Sequence, residues 1–206
     1  MMKNNIKKLA FTMAEILLAM VILGIIFLLS VNTLQHSSQD REKSSQLMKL
    51  YPIMDNMISL IVLENMGVEN IPFGEGNGTT DKFSEMLVKK LRVGENCQKD
   101  KNTCWASVAD IPEDISAFYK VRLVDGTALA ITTFQGKEKC TKEIEVGDAD
   151  HTKFEHVCML MYVDVNALDK PNKWEEDVFK FVYDEEEGFQ PASIETMKIV
   201  EKPKES

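Results

Sequence analysis

The chain has 206 residues, of which 44% are hydrophobic and 28% charged, with a formal net charge of −9. That length suits one globular domain plus an additional element, and the composition excludes disorder as the default. An acidic surface repels nucleic-acid phosphates and no local basic patch offsets it, so no nucleic-acid partner is expected.

The N-terminus departs from this average. MMKNNIKKLA carries Lys3, Lys7 and Lys8 and no acid; without it, 21 basic side chains face 33 acidic ones, a net of −12. FTMAEILLAMVILGIIFLLSV, from Phe11 to Val31, is about 21 residues with Glu15 as its single ionisable side chain. As a helix it is roughly 30 Å long, which predicts a transmembrane span. The basic segment ahead of it predicts a cytoplasmic start, with everything after Val31 on the far side. A cleaved secretory signal has a shorter apolar core followed by an A-x-A-like site, which SVNTLQHSSQ does not offer. Glu15 costs about 2.5–3.5 kcal/mol deep in such a span and calls for a partner. A cut between Ala10 and Phe11 supplies one, an α-amine one turn away in the same chain or in a stacked neighbour. A carboxylate snorkelling to the interface from the helix start is the alternative.

These residues carry a resemblance. KKLAFTMAEILLAMVILGII is similar to the signal of type IV prepilins and type II secretion pseudopilins: a basic leader, a small residue, Phe-Thr-x-x-Glu, then an apolar stretch. The resemblance implies a leader over residues 1–10, cleavage after Ala10, N-methylation of Phe11, and Glu15 as the assembly glutamate. It implies a transmembrane and polymerisation helix over residues 11–31 and a periplasmic or extracellular head over residues 32–206. The implied partners are copies of itself, other pilin-like subunits, a prepilin peptidase, an inner-membrane assembly platform and, before assembly, membrane lipid. The implied location is the bacterial inner membrane, crossed once. Ala10 stands where the family usually has Gly, and Asn32 where members often have Pro, so a bend is expected to be weaker there or to fall at Gly24.

From Asn32 to about Met66 the chain reads as a continuing amphipathic helix. Leu47, Leu50, Met54, Met57, Ile58 and Ile61 form one stripe at spacings of three and four, the pattern of a core-facing helix. SSQDREKSSQ ahead of it is a solvated stretch. Pro52 is expected to bend the helix or open one bond of its ladder, and Gly67 to stop it. PFGEGNGTT reads as a loop. A short helix follows, capped by Thr80, with Phe83, Met86, Leu87 and Leu91 on its apolar face. Beyond Ala109 the period becomes two. FYKVRLV and ALAITTF flank Asp125-Gly126-Thr127, a hairpin signal, and strands are expected near His156–Val165 and Val178–Tyr183. Helix first and strands later predict an α+β, pilin-like fold with the long helix laid on a small antiparallel sheet.

YVDVNALDKPNKWEEDVFKFVYDEEEGFQPAS resembles the closing motif of some pilin-like type II secretion proteins through Asp164, Asn166, Pro171, Asn172, Asp177 and Phe179. Ala167 and Glu175 replace that motif's glycines, so either the loop is distorted or Asn166 and Asn172 supply its left-handed residues. Asp164, Asp169 and Asp177 suggest calcium, which some pseudopilin heads bind. The segment lacks a regular loop of alternating acids, so no cofactor is expected. Acidic surface turns capped by Asn side chains are the plainer reading.

Cys97, Cys104, Cys140 and Cys158 all follow the anchor, and an even count there suggests two disulfides. Of three pairings, Cys97–Cys104 and Cys140–Cys158 close the shortest loops. The rival, a four-thiolate zinc site, lacks knuckle spacing. No G-x-S-x-G, H-E-x-x-H or phosphate loop occurs, and His36, His151 and His156 have no recognisable catalytic partner, so no enzyme is expected. Three functions remain open: a filament or pseudopilus subunit, a minor pilin with a ligand-binding adhesin or DNA-uptake head, and an anchored extracytoplasmic binding domain that does not polymerise.

Overall fold

The computed structural model describes residues 13–73, 79–99, 102–106, 111, 114–134, 140, 142–146, 152–169 and 172–200. The leader and its expected cut at Ala10 and Phe11 lie outside them. The chain divides into two compact units, Met1–Glu42 and Lys43–Ser206.

Helix α1 runs from Met13 to Glu64 without a break at Gly24 or Asn32, and it continues through Pro52. A proline lacks the N–H that would bond one turn back, so one rung of the ladder is missing there. The Asn56 amide donates to the Pro52 carbonyl at 2.6 Å. The helix ends in a Schellman motif: Gly67 N–H donates to Val62 O at 3.0 Å and Met66 N–H to Leu63 O at 3.1 Å. The left-handed residue of that motif is Met66, at φ 59°, one position before the glycine expected to supply the stop. Met66 is 87% exposed, so its side chain gains nothing from burial that offsets the backbone cost. Met66→Gly is therefore expected to raise stability by up to about 1 kcal/mol, read as a higher urea midpoint at unchanged slope.

In the second unit, the stripe Leu47, Leu50, Met54, Ile58 and Ile61 is buried, and Met57 packs against the same cluster partly covered. Helix α2, Thr79–Lys90, adds Phe83 and Leu87 to that cluster. The first-turn side chains of α2, including the expected cap Thr80, are outside the described ones. Seven strands follow: β1 Val93–Gln98, β2 Tyr119–Leu123, β3 Ala128–Thr133, β4 Lys142–Val146, β5 Thr152–Asp164, β6 Val178–Asp184 and β7 Gly188–Pro191. All pair antiparallel in the order β1-β2-β3-β5-β6-β7, with β4 on β5. Helix α3, Ile194–Val200, closes the described chain.

Side-chain alternation sends two sets of residues to opposite faces of the sheet. Val121, Ile131, Met161, Val163, Phe179 and Phe181 meet α1 and α2. Phe118, Ala130, Leu160, Tyr162, Val178 and Val182 join a second cluster with Trp105 and, partly buried, Trp174, Ile194 and Met197. Every residue of β6 is buried as a result, although VFKFVYD alternates only imperfectly. The fold is α+β with a seven-stranded antiparallel sheet, larger than the small sheet expected.

One major expectation is corrected. Among the described residues, no helix is long and apolar enough to cross a membrane. The transmembrane segment expected within Phe11–Val31 falls with this, as do the membrane anchor and the single-pass inner-membrane placement. The described side chains at the start of α1, Met13 to Phe27, are apolar apart from Glu15.

Candidate functional site

The first candidate is the start of α1. Glu15 lies in the first helical turn, where the helix dipole favours a carboxylate. The large apolar side chains around it are all exposed, from 48% at Ile16 to 83% at Met13, and they continue to Phe27 at 69%. Met20, Leu23 and Phe27 follow one helical face while Leu18, Ile22 and Ile25 follow another, so no polar face separates them.

The cysteines stand in two bonded pairs. Cys97 of β1 is joined to Cys104 in the short 3₁₀ turn Asn102–Cys104, and Cys140 ahead of β4 is joined to Cys158 of β5. Their Cα atoms lie 6.0 and 4.6 Å apart. Among the described residues, Glu95, Cys97 and Cys104 bring three ligand-type atoms within 4.8 Å of one another. Both sulfurs are tied in a disulfide, which leaves no thiolate for a metal. Glu95 is engaged as well, with Arg122 at 2.7 Å and the Thr103 hydroxyl at 2.9 Å. His156 is exposed on β5 at a positive φ of 58°, beside the irregularity in the β5–β6 register. His151 and the side chain of His36 lie outside what is described.

The closing loop between β5 and β6 is a polar clasp. Asp164 and Asp177 are both fully buried. Asp164 Oδ1 accepts the backbone N–H of Asn166 at 3.2 Å and of Ala167 at 2.8 Å. Asp177 Oδ1 accepts the Lys173 N–H at 2.6 Å, and its Oδ2 accepts the Asn166 amide at 3.1 Å. Lys43 of α1 lies 3.9 Å from that same Oδ2. The Asn172 amide, turned to its hydrogen-bonding orientation, donates to the carbonyls of Ala167 and Asp169. Asp164 Oδ2 and Asn166 Oδ1 are buried with no hydrogen-bond partner among the described residues. Burial pushes the Asp164 carboxyl up to about 7, with the neighbouring Asp177 adding to the shift and the two backbone N–H groups and Lys43 opposing it.

Ala167 and Glu175 themselves take the left-handed conformation, at φ 49° and 62°, and Asn166 and Asn172 do not. The loop thus keeps the turn geometry that glycines would serve, at the backbone cost of two L side chains. Asp169 is exposed, apart from the two buried acids, so the three aspartates considered for calcium do not share one environment. The sequence did not signal the depth of Asp164 and Asp177, nor the approach of Lys43.

No protein-family model matches this chain, and neither a curated protein nor a solved structure matches it.

Proposed function

We propose that this chain is a structural subunit of a type IV pilus-like filament or a type II secretion pseudopilus, joined to copies of itself through the start of α1. The observation that carries this reading is the exposure of every large apolar side chain from Met13 to Phe27. A helix that is apolar all round is buried in its working state, and a contiguous apolar surface of this extent marks an interaction site. Neighbouring copies present the same surface and supply that cover. The FTMAE start supports the same reading. A prepilin peptidase cutting after Ala10 creates an amine on Phe11, and Glu15 of one subunit offers it a counter-ion in the next. Packing fixes the bundle, and the charge pair fixes its register.

Intact mass and shearing test this. Processed subunit begins at Phe11 with one added methyl group, and wild-type protein appears in the sheared filament fraction. Glu15→Ala is still processed, because the peptidase reads the leader and the cut. Its sheared fraction falls about tenfold or more, since an unpaired buried amine costs well over about 1.4 kcal/mol per subunit. A mature chain starting at Met1, or wild-type polymer from the Glu15→Ala variant, overturns the proposal.

A further inference from the structure

A cavity of about 470 Å³ opens in the second unit between the later part of α1, the end of α2 and the β2–β3 turn. Its walls are apolar: Leu50, Ile53 and Met57 from α1, Leu91 after α2, and Leu123 and Val124 from the hairpin. Its size falls within the range of small-molecule sites, which bury an apolar body and fix it with a few polar groups. Two details set it apart from a packing defect. Val124 is 70% exposed in a tight turn, where polar residues are the rule, and Ile53 is 47% exposed on the facing helix. Together they keep an open apolar entrance that solvent-facing polar residues would ordinarily close.

The rim carries Lys90, Arg92 and Asp125. Lys90 is held by Glu64 at 2.7 Å, and Asp125 caps its own turn by accepting the Thr127 N–H at 3.0 Å. Arg92 is exposed, with its guanidinium in no ion pair among the described residues. On a chain of net charge −9, an arginine at the mouth of an apolar cavity is a local exception to a field that repels anions. A guanidinium fork matches a carboxylate in two parallel hydrogen bonds. Asp125 across the rim disfavours a second negative charge, so a phosphate head fits less well than a carboxylate.

We propose that this cavity binds an amphiphile with one unbranched apolar chain and a single carboxylate head, the chain between α1 and the hairpin and the head on Arg92. The site is independent of filament assembly.

The test uses full-length protein and decanoate carrying a photoreactive group near its tail. Saturable labelling is expected on the peptides containing Ile53 and Met57 and on the peptide containing Val124, and unlabelled decanoate competes it away. Arg92→Glu, at an exposed position, should weaken binding about tenfold through loss of the charge-assisted pair. Met57→Trp fills the cavity and should abolish labelling, and circular dichroism shows whether each variant keeps its fold. Decyl phosphate should bind more weakly than decanoate, and Asp125→Asn should narrow that difference. Labelling confined to the Met13–Phe27 segment, or unchanged binding by a folded Arg92→Glu variant, overturns the site. Equal binding of decyl phosphate and decanoate to the wild type overturns the assignment of its head group.

Discussion

Asp164→Asn should stabilise the protein above pH 7 by on the order of 4 kcal/mol and leave it nearly unchanged near pH 4. The folded carboxyl titrates at about 7 and its ordinary value is 3.8, a gap of roughly three units at about 1.4 kcal/mol each. The direction follows from where the proton sits. Between those two values the folded chain holds a proton that the unfolded chain releases, so stability falls as pH rises through this window and levels off above about 7. Asparagine carries no charge to desolvate, and its carbonyl oxygen still accepts the Asn166 and Ala167 N–H groups that Asp164 Oδ1 holds now. The groups facing this site are Asp177 and Lys43, and both remain in the variant. Urea midpoints of wild type and variant, measured from pH 4 to pH 8.5, should diverge as the pH rises to about 7 and hold a constant gap above it. Curves parallel across the whole range from pH 4 to pH 8.5 would show that Asp164 is not ionised at a cost in the folded state.

Local periodicity made part of this fold readable. The stripe from Leu47 to Ile61 repeats every three or four residues, and the structure buries its members on the sheet. FYKVRLV and ALAITTF straddle Asp125-Gly126, and β2 and β3 pair there with Tyr119 opposite Ile131. β1, β4 and β7 escaped notice because edge strands bury little. VGENCQ is mostly exposed or half-exposed, and GFQP is four residues long and ends in proline. Hydropathy misled at the N-terminus. A run of apolar letters reads alike whether lipid or protein covers it, and among the described residues no helix is long and apolar enough to cross a membrane.

The closing loop shows the same limit at the level of single residues. Its polar letters look like a surface turn, and only the fold buries Asp164 and Asp177. Lys43, which approaches Asp177, lies far away in the sequence, and no local pattern links the two. The substitution of Ala167 and Glu175 for glycines suggested either a distorted loop or neighbouring asparagines taking over the left-handed positions. The structure keeps the turn where it was, because two buried carboxylates hold the backbone N–H groups of Asn166, Ala167 and Lys173 on either side of it.

Removing the Cys140–Cys158 bridge should cost more stability than removing Cys97–Cys104. The two close loops with sequence separations of 18 and 7. On chain entropy alone that makes them worth about 3 and about 2.4 kcal/mol. Packing widens the difference. Cys158 is fully buried on β5, the strand that pairs with β3, β4 and β6, and Cys140 is buried in the same helix-facing cluster. The Cys97–Cys104 bridge is itself buried but sits on the edge strand β1, whose other residues are exposed or half-exposed. Paired replacement by alanine is the cleaner variant, because buried serine hydroxyls would add an unsatisfied hydrogen-bonding cost of about 1–3 kcal/mol each. Urea unfolding of the two alanine pairs, beside wild type with and without reductant, separates the contributions. The reduced wild type should lose about as much as the two pairs together. An equal or larger loss from the Cys97 and Cys104 pair would mean that the edge of the sheet, and not its centre, depends most on being stapled.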